Sequence, residues 1–295
     1  MKQKNSIGHI LCILCVLVWG TTFISTKTLL LDFLPVELLF FRATLAVIAM
    51  LIFCPKFLKG TSLRQELLMA AAGFFGITAY SLLEIIALVY TQASNVGVIV
   101  SVAPFFTAIL SILFLKQEKP KSFFFLGFIV AMIGILMISF SNITELSLNP
   151  TGDILAIGAA LSWAIYSILI KKISAWDYPT ILTTRRIFFY GILFMIPFML
   201  RMGFTWNLSR FANPVNLFNI IFLGVGASAL CFAGWNYAIK ILGPLKTSVY
   251  IYLVPVIAVA TSVAFLDERL TFIGIVGTIF TLLGLLVSEY KSKKK

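Results

Sequence analysis

Charge is what this sequence has least of. Only 12% of its 295 residues are Asp, Glu, Lys or Arg, whereas 60% are hydrophobic and the mean hydropathy is +1.04. A soluble domain ordinarily carries about 25% charged residues, so this chain has too few to cover a globule with a solvated surface. A lipid bilayer is the solvent that such a composition fits. Histidine is almost missing too: His9 is the single one, at the start of the first apolar run, which leaves zinc binding and His-based catalysis with little to work with. The four cysteines (Cys12, Cys15, Cys54 and Cys231) lie in apolar runs rather than polar loops. Cys12 and Cys15 form a CxxC, but with no ligand residues beside them they read as packing, and no disulfide, metal site or cofactor is expected. No GxxxxGK[ST] stretch occurs, so direct drive by ATP is not expected either.

The net charge of +12 would suggest nucleic acid in a soluble protein. Here Lys and Arg sit in short clusters between apolar runs, ending in the tail KSKKK. That is the distribution of cytoplasmic loops, and it removes nucleic acid from the expected partners.

Ten apolar runs of spanning length can be read along the chain, at about 7–27, 35–54, 67–90, 93–115, 123–141, 152–171, 179–200, 215–239, 245–266 and 272–288. The first has the length of a spanning helix rather than of a signal-peptide core and is expected to remain in the protein. Runs three and four, separated only around Thr91–Gln92, predict a tight helical hairpin. Sixteen of the 23 basic residues fall at the termini and in the connections after even-numbered runs, against four (Lys27, Arg201, Arg210 and Arg269) in the other connections. The positive-inside rule then places both termini in the cytoplasm. The expected architecture is an all-α integral membrane protein of ten transmembrane helices, multi-pass in the cell membrane.

The two halves of the chain resemble each other. LVWGTTFISTK (17–27) aligns with LSWAIYSILIK (161–171) at a shift of 144, which also carries Pro35 to Pro179 and Arg42 to Arg186. At a shift of 151 Pro104 meets Pro255 and Ala87 meets Ala238. At 150 Glu118 meets Glu268, Gly127 meets Gly277 and Gly134 meets Gly284. The repeats are residues 1–145 and 146–295, with five spans each. Five is odd, so the second copy enters the membrane from the opposite side, giving the inverted repeat of a carrier that opens one central site to each side in turn.

With VWGTTF in the first run, FFRATLA in the second, APFFTAILSILFLKQE in the fourth and VPVIAVATSVAFLDERL in the ninth, the chain resembles the ten-helix EamA-like branch of the drug/metabolite transporter superfamily over essentially its whole length. The resemblance implies secondary transport of small organic solutes, often export, through a cavity between the two halves. It names no substrate.

Several residues are candidates for that cavity. Pro104 and Pro255 lie ~15–16 Å from the starts of their runs, close to the midplane, where each is a candidate hinge or a tolerated kink. Trp19 and Trp163 lie too deep for an interfacial belt, and Phe23 and Tyr166 share their respective faces, so all four are candidate pocket walls. Arg42 and Glu84 each lie ~10 Å below the outer surface, where an isolated charge costs about 2.5–3.5 kcal/mol. They could form an ion pair. If they do not, Glu84 becomes a proton carrier or substrate anchor. The repeat sets Trp235 opposite Glu84, an asymmetry between otherwise similar halves. Tyr80, Trp235 and Tyr250 could supply aromatic faces for an organic cation beside the carboxylate. An amino acid could instead turn its carboxylate to Arg42 and its ammonium to Glu84.

Glu118 and Glu268, among basic residues, read as local loop pairs. The paired glycines at spacing seven allow close helix packing, either within one chain or in a homodimer. The function expected is a secondary transporter, exporting a small amphipathic metabolite such as an amino acid or organic amine, and not an enzyme. The alternative is a proton-coupled carrier of organic cations or drugs with Glu84 as coupling site. A lipid-acting membrane enzyme would need clustered carboxylates or a metal motif, which the sequence does not offer. A receptor or scaffold would leave the inverted repeat without a purpose.

Overall fold

In an apolar solvent every backbone N–H and C=O must find a partner inside the protein, and a helix does this within one segment. The computed structural model follows that rule. It describes residues 2–90, 93–115, 122–140, 149–266 and 271–289, and these are helical with short connections, with no strand among them. The Thr91–Gln92 connection, Glu118, Glu268 and the terminal lysines lie outside the described residues.

α1 (Lys2–Leu29) and α2 (Pro35–Phe53) form the first pair. Proline opens α2, where its missing N–H is no loss, and Glu37 accepts from the Leu34 amide at 2.8 Å. α3 (Leu63–Gly73) starts on Ser62, which exchanges hydrogen bonds with Gln65 in a capping box. It continues through a π-helical stretch (Phe74–Ala79) into α4 (Tyr80–Tyr90). α5 (Ala93–Val100), α6 (Ala103–Leu115) and α7 (Ser122–Phe140) come next. α8 (Pro150–Ser174) begins on an Asn-Pro pair, with Asn149 accepting from Thr151 N at 3.1 Å. After α9 (Thr180–Arg201) and a 3-10 turn (Leu208–Ala212), α10 (Pro214–Ile221) starts on a second such pair, Asn213 accepting from Val215 N at 3.0 Å. A second π-helical stretch (Phe222–Leu230) leads into α11 (Cys231–Leu242). α12 (Pro244–Ser248), a 3-10 turn (Val249–Tyr252), α13 (Leu253–Leu266) and α14 (Phe272–Glu289) complete the chain.

Among the described residues, seven helical segments are long and apolar enough to cross a membrane: Asn5–Leu29, Pro35–Phe53, Leu63–Tyr90, Val96–Leu115, Pro150–Ser174, Thr180–Arg201 and Pro214–Leu242. Three shorter apolar helices, Ser122–Ile138, Pro244–Ile257 and Phe272–Ser288, occupy the remaining expected runs. Exposed Ile52, Leu113 and Phe218 show that the outer surface is apolar, as contact with lipid requires. The protein is an integral membrane protein.

Four of the expected runs are not uniform helices. Two carry the π-helical stretches, and two are interrupted just before the prolines picked out in the sequence. Pro104 is the second residue of α6, after a turn at Ser101–Val102, and Pro255 is the third of α13, after the 3-10 turn. Proline lacks an N–H and clashes with the carbonyl four residues back, so it belongs in a first turn. Each proline therefore starts a helix after a break instead of bending one in its middle.

Packing is crosswise. α1 lies against α10, Phe222–Leu230, α11 and α13, while α8 lies against α3, Phe74–Ala79, α4, α5 and α6. α7 and α14 form the most extensive helix pair, and the four paired glycines are used there, within one chain. A Cβ on Gly134 would sit 2.5 Å from Gly277 O, and one on Gly284 only 2.3 Å from Ala131 N.

Of the three ion pairs among the described residues, two hold the connections flanking α2. Fully buried Glu37 receives Arg210 Nη1 at 2.7 Å and Thr205 N at 2.9 Å, while Arg210 also donates to Asp32 O at 2.8 Å. This ties the 30–34 connection to the one before α10. On α9, Arg185 donates to Cys54 O (2.6 Å) and Lys56 O, and Arg186 donates to Leu58 O (3.1 Å) and pairs with Glu66 at 3.5 Å. These bonds hold the connection between α2 and α3.

Gly284→Val should force α14 off the Ala131 backbone and cost about 1–3 kcal/mol, read as a lower midpoint of thermal unfolding in detergent. Gly97→Ala, whose Cβ would meet nothing within 4 Å, should leave the midpoint unchanged. Arg210→Gln strips the buried Glu37 of its counterion and should cost about 3 kcal/mol. Arg186→Gln, at a half-exposed pair where Glu66 keeps Thr61 and Tyr190 as donors, should cost under about 1 kcal/mol in the same assay.

Candidate functional site

The crosswise packing leaves a cavity between α1, α2, α11 and α13 on one side and α4, α5 and α8 on the other. It has about 80 Å3 open to the centres of water-sized molecules, room for several waters. From the first side it receives Trp19, Thr22, Thr26, Arg42, Phe232, Ile251 and Val254. From the other come Tyr80, Glu84, Ile85, Leu88, Gly97, Val100, Ser101 and Trp163. Departures from regular helix cluster here. Tyr80 directly succeeds the first π-helical stretch, Phe232 lies just beyond the second, Ser101 lies in the break before Pro104, and Ile251 lies in the turn before Pro255.

Arg42 and Glu84 both face this space, from different helices. Among the described residues they form no ion pair within 4.0 Å; the pairs that exist are Arg186–Glu66, Arg210–Glu37 and Lys240–Asp177. Each charge instead has a hydroxyl partner. Arg42 Nε donates to Ser228 Oγ at 3.0 Å, and Tyr80 Oη donates to Glu84 Oε1 at 2.8 Å. Neither the two Nη groups of Arg42 nor Glu84 Oε2 has a further protein partner among the described residues. The cavity therefore holds a guanidinium and a carboxyl group, each with hydrogen-bonding capacity to spare.

One wall is aromatic. Trp19 packs edge-on to Trp163 at 5.4 Å between centroids and lies 4.9 Å from Trp235, and Tyr80 lies 4.9 Å from Trp163. Phe232 sits 5.7 Å from both Trp19 and Trp163. Trp19 Nε1 donates to Ala227 O at 3.0 Å, a carbonyl in the second π-helical stretch. Such a wall presents negative ring faces that suit the ammonium or aromatic portion of a solute.

Of the residues singled out in the sequence, Trp19, Arg42, Tyr80, Glu84 and Trp163 line the cavity. Trp235 and Tyr166 do not. Trp235 is fully buried behind Trp19, and Tyr166 donates to Asn236 Oδ1 at 2.8 Å, whose Nδ2 donates to Thr184 at 3.0 Å, linking α8, α11 and α9. Tyr250 also lies off the cavity, with its hydroxyl 2.6 Å from His9 Nδ1. The Phe23 side chain lies outside the described residues. Thr22 and Thr26 went unnoticed although they succeed Trp19 at helical spacings of three and seven. Ser228 has no local signal, because its partner Arg42 is 186 residues away in sequence. No three His, Cys, Asp or Glu side chains come together among the described residues in a way that could hold a metal ion.

Comparison with known proteins bears on the whole chain. An uncharacterized transporter of Archaeoglobus fulgidus is 28% identical over 292 residues, covering 97% of this chain and 99% of its own. The uncharacterized transporter YyaM of Bacillus subtilis is 28% identical over 278 residues, covering 92% and 89%. A protein of Streptantibioticus cattleyicolor named "Probable terminal-alkyne amino-acid exporter" is 23% identical over 288 residues, covering 97% and 94%. A solved crystal structure shares the fold at a TM-score of 0.75 and 15% identity, covering 98% of this chain and 97% of that one. The model of the EamA-like transporter family matches residues 6–140 and again residues 150–290. The chain belongs to the EamA-like transporter family.

Proposed function

We propose that the protein is a secondary transporter of a small solute bearing both charges or an amine, foremost an amino acid, which it exports by alternating access at the Arg42–Glu84 cavity. The observation that carries this reading is the pair of opposite charges that line one cavity without neutralising each other. A zwitterion can set its carboxylate on the Arg42 Nη groups and its ammonium on Glu84, and each charge-assisted hydrogen bond is worth about 1.5–3 kcal/mol. The aromatic wall then takes the apolar part. The amino-acid exporter named among the relatives supports the substrate class at low identity.

Alternating access rests on the reading of two inverted five-helix repeats, ten spans in all, with both termini in the cytoplasm. The two separate family matches, the π-helical stretches at Phe74–Ala79 and Phe222–Leu230, and the breaks before Pro104 and Pro255 all support it. With that sidedness the cavity lies in the outer half of the membrane, and the breaks beside it are the hinges. The plasma membrane is the expected location.

A second reading has its own support. Glu84 stands beside Tyr80 and Trp163, surroundings that suit an organic cation exchanged for protons at Glu84. Counterflow of labelled solutes in proteoliposomes separates the two. Zwitterion transport requires Arg42→Gln and Glu84→Gln each to weaken apparent affinity by about tenfold or more. An Arg42→Gln protein that carries an amine at full affinity while Glu84→Gln is inactive would establish the cation carrier instead. For sidedness, a fluorescent protein fused after Lys295 should mature in the cytoplasm and alkaline phosphatase fused there should remain inactive. Active phosphatase would reverse the orientation.

A further inference from the structure

Opposite charges that share a cavity walled off from bulk water attract each other more strongly than at the surface, and α2 and α4 are in direct contact. Arginine has a long flexible stem, so a guanidinium at this depth would be expected to swing onto the carboxylate. It does not: Arg42 Nε is held by Ser228 at 3.0 Å, and Glu84 Oε1 is held by Tyr80 at 2.8 Å. Ser228 lies outside the cavity lining, and Tyr80 is part of its aromatic wall. Ser228 is buried to 1% exposure within Phe222–Leu230, the stretch that packs against α2. Tyr80 is pinned by its ring against Trp163 at 4.9 Å.

We propose that Ser228 and Tyr80 are positioning residues that hold Arg42 and Glu84 apart, so that the two charges stay available to a zwitterionic solute rather than to each other. This rests on the zwitterion reading of the cavity and assigns roles to two residues that bind no solute through their own charge. The second π-helical stretch bears on where the Ser228 hydroxyl lies. A π-turn inserts one residue into a helix, which rotates the later turns by about 100° relative to the earlier ones. Ser228 lies within one such stretch and Tyr80 directly after the other. In an unbroken α-helix of the same sequence Ser228 would face elsewhere, whereas Tyr80 and Glu84, four residues apart on α4, turn together and keep their contact.

The consequence is a pattern of coupling. Ser228→Ala frees Arg42 to pair with Glu84, so the half-saturating concentration of a zwitterionic amino acid in counterflow should rise about tenfold, with the maximal rate within about twofold. Ser228→Thr, which keeps the hydroxyl, should restore it. In a Glu84→Gln background the carboxylate is gone, and Ser228→Ala should change affinity by less than about twofold, because the two act as one unit. Tyr80→Phe should behave in the same way, silenced by Arg42→Gln. Undiminished affinity in Ser228→Ala, or an equal loss with and without Glu84, overturns the proposal. A substrate-free structure of the Ser228→Ala protein gives a readout that does not depend on transport. Arg42 should lie within 4.0 Å of Glu84, and a guanidinium that stays in its present position refutes the positioning role. If the unsubstituted protein moves no zwitterion, the transport reading fails, while that structure still decides the role of Ser228.

Discussion

Every part of this protein answers to one constraint: in hydrocarbon, a backbone polar group without a partner costs several kcal/mol. Long apolar helices meet the constraint segment by segment, which is why the described residues are helices joined by short connections. The places that depart from regular helix are therefore informative. The two π-helical stretches, the Ser101–Val102 turn and the 3-10 turn before α13 all lie where other helices cover them, and each places a residue in or beside the same cavity. Irregular backbone is tolerated at that depth where it lines a cavity or is buried in protein, and here it does both.

The same constraint governs the charges. Arg42 and Glu84 sit where lipid would reject them, and both turn inward. The ion pairs that exist serve other ends. Arg210–Glu37 fastens the connection before α10 to the one between α1 and α2, and Arg185 and Arg186 gather the carbonyls of the connection between α2 and α3. Charged side chains are thus paired where they hold connections, and are hydrogen-bonded to hydroxyls where Arg42 and Glu84 face the cavity.

Aromatic packing joins the two groups of helices beneath that cavity. Trp19 from α1, Trp163 from α8 and Trp235 and Phe232 from α11 meet at one point. The Tyr166–Asn236–Thr184 chain lies alongside and satisfies polar groups in an otherwise apolar interior. Gly76, whose Cβ would fall 2.2 Å from the Tyr166 ring, is the space that lets this tyrosine pack against the first π-helical stretch.

Composition and periodicity were enough to recognise a membrane protein, the apolar runs, the prolines that mark the breaks and the deep charges. All of these stem from transfer energies and local stereochemistry, which each residue carries with it. Five of the nine residues expected to bind substrate line the cavity described above, since depth along a helix can be counted from its end. The sequence could not choose among faces. Trp235 and Tyr166 lie at the right depth but point into the core, and Tyr250 turns to His9. Nor could it show that Gly134 and Gly277 meet within one chain, or that Arg42 reaches for Ser228 and not for Glu84. A helix face is selected by what packs against it, and a single inserted residue in a π-turn redirects it. Those choices depend on contacts between segments 70 to more than 200 residues apart, so only the tertiary structure could make them.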